Sequence, residues 1–308
     1  MTKRGAELLL VGVTILWGAT FAFIKNEMVD TQPSVFVALR FGIASLLGLL
    51  LWHGNLRRLD ARTRSRGVVL GLLYGTGFLL QTVGMQHTTA SASAFVTGTM
   101  VVFVPIVNRL LHGTPVKPSH LASIVLVLIG LWFFTNPQEH GVNLGDAITL
   151  LSSILWAVYL TYIDVWTREI QDDASSLNAL VVLQFIVTVV LALVMVGVDA
   201  ANGHAVLPTF DTQFVVALAY CAVVASLVAT FVQTRYQHYT HPVRAGVIYA
   251  LEPLAAAAIA WIILDERFRP MQIIGASVLL IGTVVPDLVV ATIQRRTEQT
   301  PMTREQDV

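Results

Sequence analysis

Ile15-Leu16-Trp17, in the first apolar run of the chain, returns as Ile154-Leu155-Trp156 in the sixth, and Glu7 ahead of the first copy is matched by Asp146 ahead of the second. The correspondence continues in order: Gln86-His87-x-Thr89 pairs with Gln237-His238-x-Thr240, Pro118 with Pro270, and Leu128-Ile129-Gly130 with Leu280-Ile281-Gly282. The spacing between partners widens along the chain, which places insertions in connecting loops. Each match alone is weak. Their shared order reads as a duplication, residues 1–137 against 138–308.

Ten apolar runs carry these phrases, roughly 6–28, 34–53, 67–86, 93–111, 119–136, 144–166, 176–198, 212–236, 243–264 and 270–292. A helix crosses a hydrocarbon core of about 30 Å with about 20 residues. The runs have that length and lack the alternation of barrel strands. Composition agrees, with 55% hydrophobic and only 12% charged residues in 308, against about 25% charged in a soluble domain. So few charges cannot coat a water-facing surface, which excludes a cytosolic enzyme, a nucleic-acid binder and a disordered scaffold. A single cysteine, Cys221, excludes an internal disulfide framework and a Cys-based zinc site. The first run follows Lys3 and Arg4 as a signal peptide would, but it is too long for an h-region and lacks a small-x-small cleavage site before Lys25. The expected fold is an all-α integral membrane protein of ten transmembrane helices, in the cell membrane if the source is bacterial.

Lysine and arginine set the direction. With the N-terminus inside, fifteen fall on the inner side, including Arg57, Arg58, Arg62, Arg64 and Arg66, and only Arg267 and Arg269 fall outside. Both termini are therefore expected to be cytoplasmic. Five spans per repeat is an odd number, so the second copy sits inverted. The five-arginine loop inside has a counterpart at 199–211 without Lys or Arg, as inversion requires. Inverted repeats place a site near the midplane between the halves, exposed alternately by rocking one half against the other. That is the architecture of a carrier.

The residues resemble the EamA-type carriers of the drug/metabolite transporter superfamily. The resemblance rests on Trp17-Gly18-Ala19-Thr20-Phe21 followed by Lys25, on Leu39-Arg40-Phe41, and on Leu251-Glu252-Pro253 followed by Asp265-Glu266-Arg267. Asp265 departs from the family, which usually has Gly there. The likeness covers the chain up to about residue 293. It implies ten helices around a central cavity lined by spans one, three, four, six, eight and nine, and export of amino acids or other small metabolites, with some members importing.

Glu252 lies near the centre of the ninth run, where a carboxylate costs about 2.5–3.5 kcal/mol on insertion scales and must face a partner or a wet cavity. Pro253 beside it removes a backbone donor. A proton-coupling or substrate-ammonium site is one reading; a structural bond to a neighbouring helix is the other. Trp17 and Trp156 sit far from the interfaces where Trp concentrates. They suit a wall stacking on the solute, or packing between spans one and six aided by Gly18 and Ala157. Thr20, Tyr74, Gln81, Thr97, Asn108, Tyr159, Gln233 and Tyr249 are polar at depth and fit either solute orientation or interhelical hydrogen bonds. From these the expected substrate-binding set is Trp17, Thr20, Tyr74, Gln81, Trp156, Tyr159, Tyr249 and Glu252. Lys25 and Arg40, toward the outer ends of their spans, are candidates for an outer gate or for neutralising a substrate carboxylate, or they snorkel to the interface. The glycines Gly71, Gly75, Gly77 and Gly84 read as close helix packing.

The implied partners are a small-molecule solute, the lipid bilayer and protons, with no nucleic acid and no cofactor or metal; the chain is a monomer or homodimer. An intramembrane enzyme acting on a lipid or peptide is the rival, but the sequence has no His-Glu-x-x-His, no Gly-x-Ser-x-Gly and no pair of mid-span aspartates. A passive channel is the third reading, and nothing resembles a filter or a ring of charge.

Overall fold

The computed structural model describes residues 1–27, 31–88, 90–113, 115–135, 143–203, 208–264 and 269–283, and all regular structure among them is helical. In chain order the helices are α1 (Lys3–Glu27), α2 (Pro33–Leu56), α3 (Ala61–His87), α4 (Ala90–Gly98), α5 (Met100–His112), α6 (Pro118–Thr135), α7 (Leu144–Glu169), α8 (Ala174–Ala201) and α9 (Thr212–Ala219). A π-helical stretch, Tyr220–Val228, leads into α10 (Ala229–Tyr236) and a single 3₁₀ turn, Gln237–Tyr239. Then come α11 (Pro242–Tyr249), α12 (Glu252–Leu264) and α13 (Pro270–Thr283). Among the described residues eight helical stretches are long and apolar enough to cross a membrane, while Pro118–Phe134 and Pro270–Thr283 are shorter apolar helices.

The ends of these helices follow local chemistry. Pro33, Pro118 and Pro242 open α2, α6 and α11, where a missing N–H costs nothing. Asn143 and Asp146 form a reciprocal capping box at the start of α7. Gly113 ends α5 in the left-handed region, at φ 65°, a conformation that favours glycine. Asp60 caps α3 by accepting from the Thr63 N–H at 3.2 Å, and hydrogen bonding, foremost to the Thr63 side chain, holds its carboxyl below the ordinary range. The third helix therefore starts at Ala61, ahead of the apolar run at 67. Arg62, Arg64 and Arg66 lie on its first turns rather than in a loop, and Arg66 pairs with Glu169 at 2.7 Å.

Two spans are broken, and at matching places. The fourth is interrupted between α4 and α5 at Thr99, whose N–H is shared between the carbonyls of Phe95 and Val96. The ninth is interrupted at Ala250-Leu251, between α11 and α12, where the Leu251 N–H turns back three residues to Ile248. Pro253 accounts for the second break, because the helix cannot continue its hydrogen-bond ladder through a residue without an N–H. Discontinuous helices in corresponding positions of two repeats are the usual mark of a binding site in a carrier.

The repeats interleave. Their most extensive packing joins α2 to α8, α3 to α7 and α8, and α1 to α12, always first repeat against second. Gly71 and Gly75 allow this on α3: a Cβ on Gly71 would sit 2.7 Å from Val187, and one on Gly75 would sit 3.0 Å from the Thr188 backbone. Gly77 lies against the Trp156 ring and Gly84 against Thr149, so these glycines serve close packing. The crossing of α6 with α13 is itself symmetric, with Gly130 against Leu279 and Gly282 against Leu126 and Val127. The helices before and after the connection into α7 thus pack extensively on one another rather than as two separate bodies.

Two ties join the repeats at opposite ends of the helices. Glu7, at the start of α1, accepts from the Thr240 hydroxyl at 2.9 Å, with Lys3 and Arg244 each 3.7 Å away. Asp146, at the start of α7, accepts from the Thr88 hydroxyl at 2.6 Å. Thr88 and Thr240 share extended backbone, at φ −137° and −122°. The structure therefore matches Thr240 with Thr88, one residue from the expected Thr89, which lies outside the described residues.

Candidate functional site

Where the broken spans meet α1, α2, α3, α7 and α10, a cavity opens with about 40 Å³ of solvent-sized space. It is lined by Trp17 and Thr20 of α1, Arg40 of α2, Phe78 and Gln81 of α3, Thr97 of α4 and Met100 of α5. The second repeat supplies Trp156 and Leu160 of α7, Gln233 of α10, Tyr249 of α11 and Glu252 of α12. All six spans expected to line a central cavity do so, and the second span adds Arg40. The lining is paired across the repeats: Trp17 with Trp156, Gln81 with Gln233, Thr97 with Tyr249, and Met100 with Glu252.

Each wall residue is held by its own element. Trp17 donates its Nε1–H to the Ala225 carbonyl at 2.9 Å and packs on Tyr249 with ring centroids 5.2 Å apart. Ala225 belongs to the π-helical stretch, whose wider turn loosens its carbonyls. Trp156 packs against Tyr74, Phe78 and Tyr159. The two tryptophans stand on separate aromatic groups, so packing between spans one and six does not account for them. Gln81 donates to the Thr97 hydroxyl at 3.0 Å, and Gln233 donates to Gln237 at 3.0 Å. Glu252 is 9% exposed and opens α12 immediately after the break. Gly18 brings α1 against it: a Cβ there would sit 2.9 Å from the Glu252 carbonyl.

Three expected site residues are placed differently from expectation. Tyr74 and Tyr159 are fully buried behind the wall rather than on it. Tyr74 hydroxyl pairs with Thr230 at 2.7 Å and Tyr159 donates to Gln184 at 2.8 Å. These bonds satisfy both phenols without a solute, so they support the wall instead of contacting the cavity. Arg40 is not at an outer mouth. It is 2% exposed, donates from Nε to the Ser226 hydroxyl at 2.8 Å, and lies over Phe41 and Phe78 at 5.1 and 4.7 Å from their ring centres. The side chain of Lys25 lies outside the described residues.

Phe78, Met100 and Leu160 had carried no sequence signal because they are apolar in an apolar chain. The positions of Phe78 and Leu160 were nonetheless implied, since they stand three and four residues from Gln81 and Trp156 on the same helix face.

A sequence profile described as the EamA-like transporter family matches residues 4–136 and again 143–285. The chain is 27% identical over 283 residues to an uncharacterized transporter of Archaeoglobus fulgidus, covering 92% of this chain and 86% of that one. It is 23% identical over 308 residues to a protein of Escherichia coli K12 named "Probable amino-acid metabolite efflux pump", covering 92% and 95%. A solved crystal structure superimposes with a TM-score of 0.74 at 14% identity, covering 94% of this chain and 99% of that one, a likeness of fold.

Proposed function

This chain belongs to the EamA-like transporter family, and from that premise we propose that it exports small organic metabolites, amino acids or amines, by alternating access. One observation carries the reading: a cavity at the meeting of both repeats, walled by paired residues and holding a single carboxylate, Glu252, among its lining. The Escherichia coli relative is named for amino-acid metabolite efflux, which supports the solute class. In this reading the chain crosses the membrane ten times, as inverted repeats 1–137 and 138–308, with both termini cytoplasmic as the charge distribution favours.

The mechanism follows from size and from the breaks. Solute sites usually measure about 300–1,000 Å³, so a cavity of about 40 Å³ corresponds to a contracted state with room for a few waters. Expansion works through the breaks at Thr99 and Ala250-Leu251, which free the halves of spans four and nine to tilt separately. Because α2 and α3 pack on α8, the bodies that rock each draw helices from both repeats. Releasing the Glu7–Thr240 tie opens one face and releasing the Asp146–Thr88 tie opens the other. Glu252 takes up a proton or the ammonium group of the solute.

The test is counterflow in proteoliposomes with amino acids, polyamines, aromatic metabolites and sugars. Saturable, mutually competed exchange from one class is expected, and Glu252→Gln removes its pH dependence while elution in detergent stays unchanged. Linear, uncompeted flux makes the protein a channel, and retained pH dependence in Glu252→Gln takes the coupling role from that residue.

A further inference from the structure

Arg40 is among the largest fully buried side chains of the molecule, and the transport reading gives it no task. A buried cation is expensive unless paired. Its Nε–H is occupied by Ser226 and its guanidinium face by Phe41 and Phe78, yet Nη2 is buried with no hydrogen-bond partner. Among the described residues no carboxylate comes within ion-pair distance of it. On the same cavity, Trp156 Nε1 is also buried without a partner, although its matched residue Trp17 has found the Ala225 carbonyl. An indole N–H can only donate. Among the described residues, two that line the cavity therefore hold buried, unanswered donors, one of them cationic, and the lining includes Glu252 as well.

Building on the transport reading, we propose that Arg40 and Trp156 form the carboxylate half of a zwitterion site whose ammonium half is Glu252, so that the solute is an α-amino acid rather than an amine or a simple acid. A carboxylate supplies two acceptor oxygens for the guanidinium Nη2–H and the indole N–H. The ammonium group beside it answers Glu252. The pairing leaves the contracted site near neutrality, which a dianionic phosphate or a lone amine does not. Met100, Leu160, Phe78 and the Trp17 ring line the rest of the cavity, a surface suited to an apolar or aromatic side chain. Arg40 is then a specificity residue that touches the solute.

The experiment uses the full chain in detergent and in proteoliposomes, with L-phenylalanine and L-leucine as probes. Each is compared with the amine lacking its carboxylate and the acid lacking its amine. A site built to bond a polar group rejects the analogue without it, so the wild-type protein is expected to bind the amino acid at least about tenfold more tightly than either truncated analogue. Arg40→Gln lowers amino-acid affinity at least about tenfold and leaves the amine within a few fold. Trp156→Phe keeps the ring, loses the donor and weakens the amino acid alone by several fold. Equal binding of amine and amino acid by the wild type overturns the proposal and needs no variant to fold. Arg40→Gln weakening all three probes alike also overturns it, and leaves Arg40 as a counter-ion to Glu252. Saturable exchange of some other solute class, with neither amino acid bound, removes the zwitterion site but not the transport reading. Absence of saturable exchange for every solute removes both.

Discussion

The two repeats build one cavity from the same plan and with different chemistry. Trp17 and Trp156, Gln81 and Gln233, and Thr97 and Tyr249 all line it, so each half contributes to the wall at comparable positions. Charge and unmet bonding are not shared evenly. Where the first repeat has Met100, the second has Glu252; where the Trp17 indole N–H has a partner at 2.9 Å, that of Trp156 has none among the described residues. If the cavity serves exchange as proposed, the positions where the two halves differ are the ones to change first. The largest predicted effect therefore comes from erasing that divergence. Glu252→Met gives the second repeat the residue of the first and is expected to lower exchange by at least a hundredfold, about 2.7 kcal/mol of transition-state free energy. Met100→Glu combined with Glu252→Met moves the acid across the symmetry axis and is not expected to restore exchange, because Arg40 and the unpaired Trp156 do not move with it. Recovery in the double variant would mean that any carboxylate in the cavity suffices.

Gly18 and Ala157 are the next unequal pair. They follow Trp17 and Trp156 in the two copies, but α1 runs so close to α12 that a Cβ on Gly18 would meet the Ala255 Cβ and the Ala256 nitrogen at 2.8 Å each. Overpacking of this kind costs about 1–3 kcal/mol. Gly18→Ala is thus expected to lower the apparent melting temperature in detergent by several degrees, although it only copies the other repeat. It also displaces the start of α12 and weakens exchange. An unchanged melting temperature would mean that the two helices separate at no cost.

How far these differences could be read in the sequence depends on what creates them. The long apolar helices and the break beside Glu252 were legible, since length and proline act locally. The break at Thr99 was not, because no proline stands beside it and its partner in the ninth span is what reveals it. Arg40 was read toward a helix end, as a long cation usually snorkels; its burial depends on Ser226 and the Phe78 face brought from other spans, with Phe41 of its own helix. Tyr74 and Tyr159 looked equivalent to Tyr249 in depth, and only the helix rotation separates wall from backing. The π-helical stretch that supplies the Ala225 carbonyl left no mark in composition.

The ties at the two faces sharpen the comparison at smaller scale. Asp146 belongs to a capping box and accepts from Thr88 at 2.6 Å, short-range bonds that salt scarcely touches. Glu7 accepts from Thr240 at 2.9 Å but draws the rest of its support from Lys3 and Arg244 at 3.7 Å, which mobile ions screen. Asp146→Ala is expected to cost about 1–2 kcal/mol, in the range of a lost cap, at low and high salt alike. Glu7→Gln is expected to cost under about 1 kcal/mol, and less in molar salt. Melting curves at two ionic strengths measure both. Equal salt dependence of the two variants would place the cations outside the Glu7 tie.

The smallest effect concerns the caps themselves. Asn143 caps α7 with an amide indifferent to pH, whereas α11 is capped by His241, whose Nδ1 accepts from the Val243 N–H at 3.3 Å. Partial burial, and then the nearby His120, Lys117, Arg168 and Lys3, hold the His241 imidazole down to about 4 from its usual 6.5. A depressed base is neutral in the folded state and charged first in the unfolded one. Its contribution is therefore complete above pH 6.5 and is lost as pH falls from there to about 4. Protonation also removes the lone pair that caps the helix, so the charge and the cap fail together. His241→Asn keeps a good capping side chain and gives this end of the molecule the chemistry of the other. It is expected to flatten the decline in melting temperature between pH 6.5 and 4 while leaving the value at pH 7.5 nearly unchanged. If the variant falls as steeply as the parent, acid sensitivity resides in other groups, and the two caps differ in sequence without differing in what they do for stability.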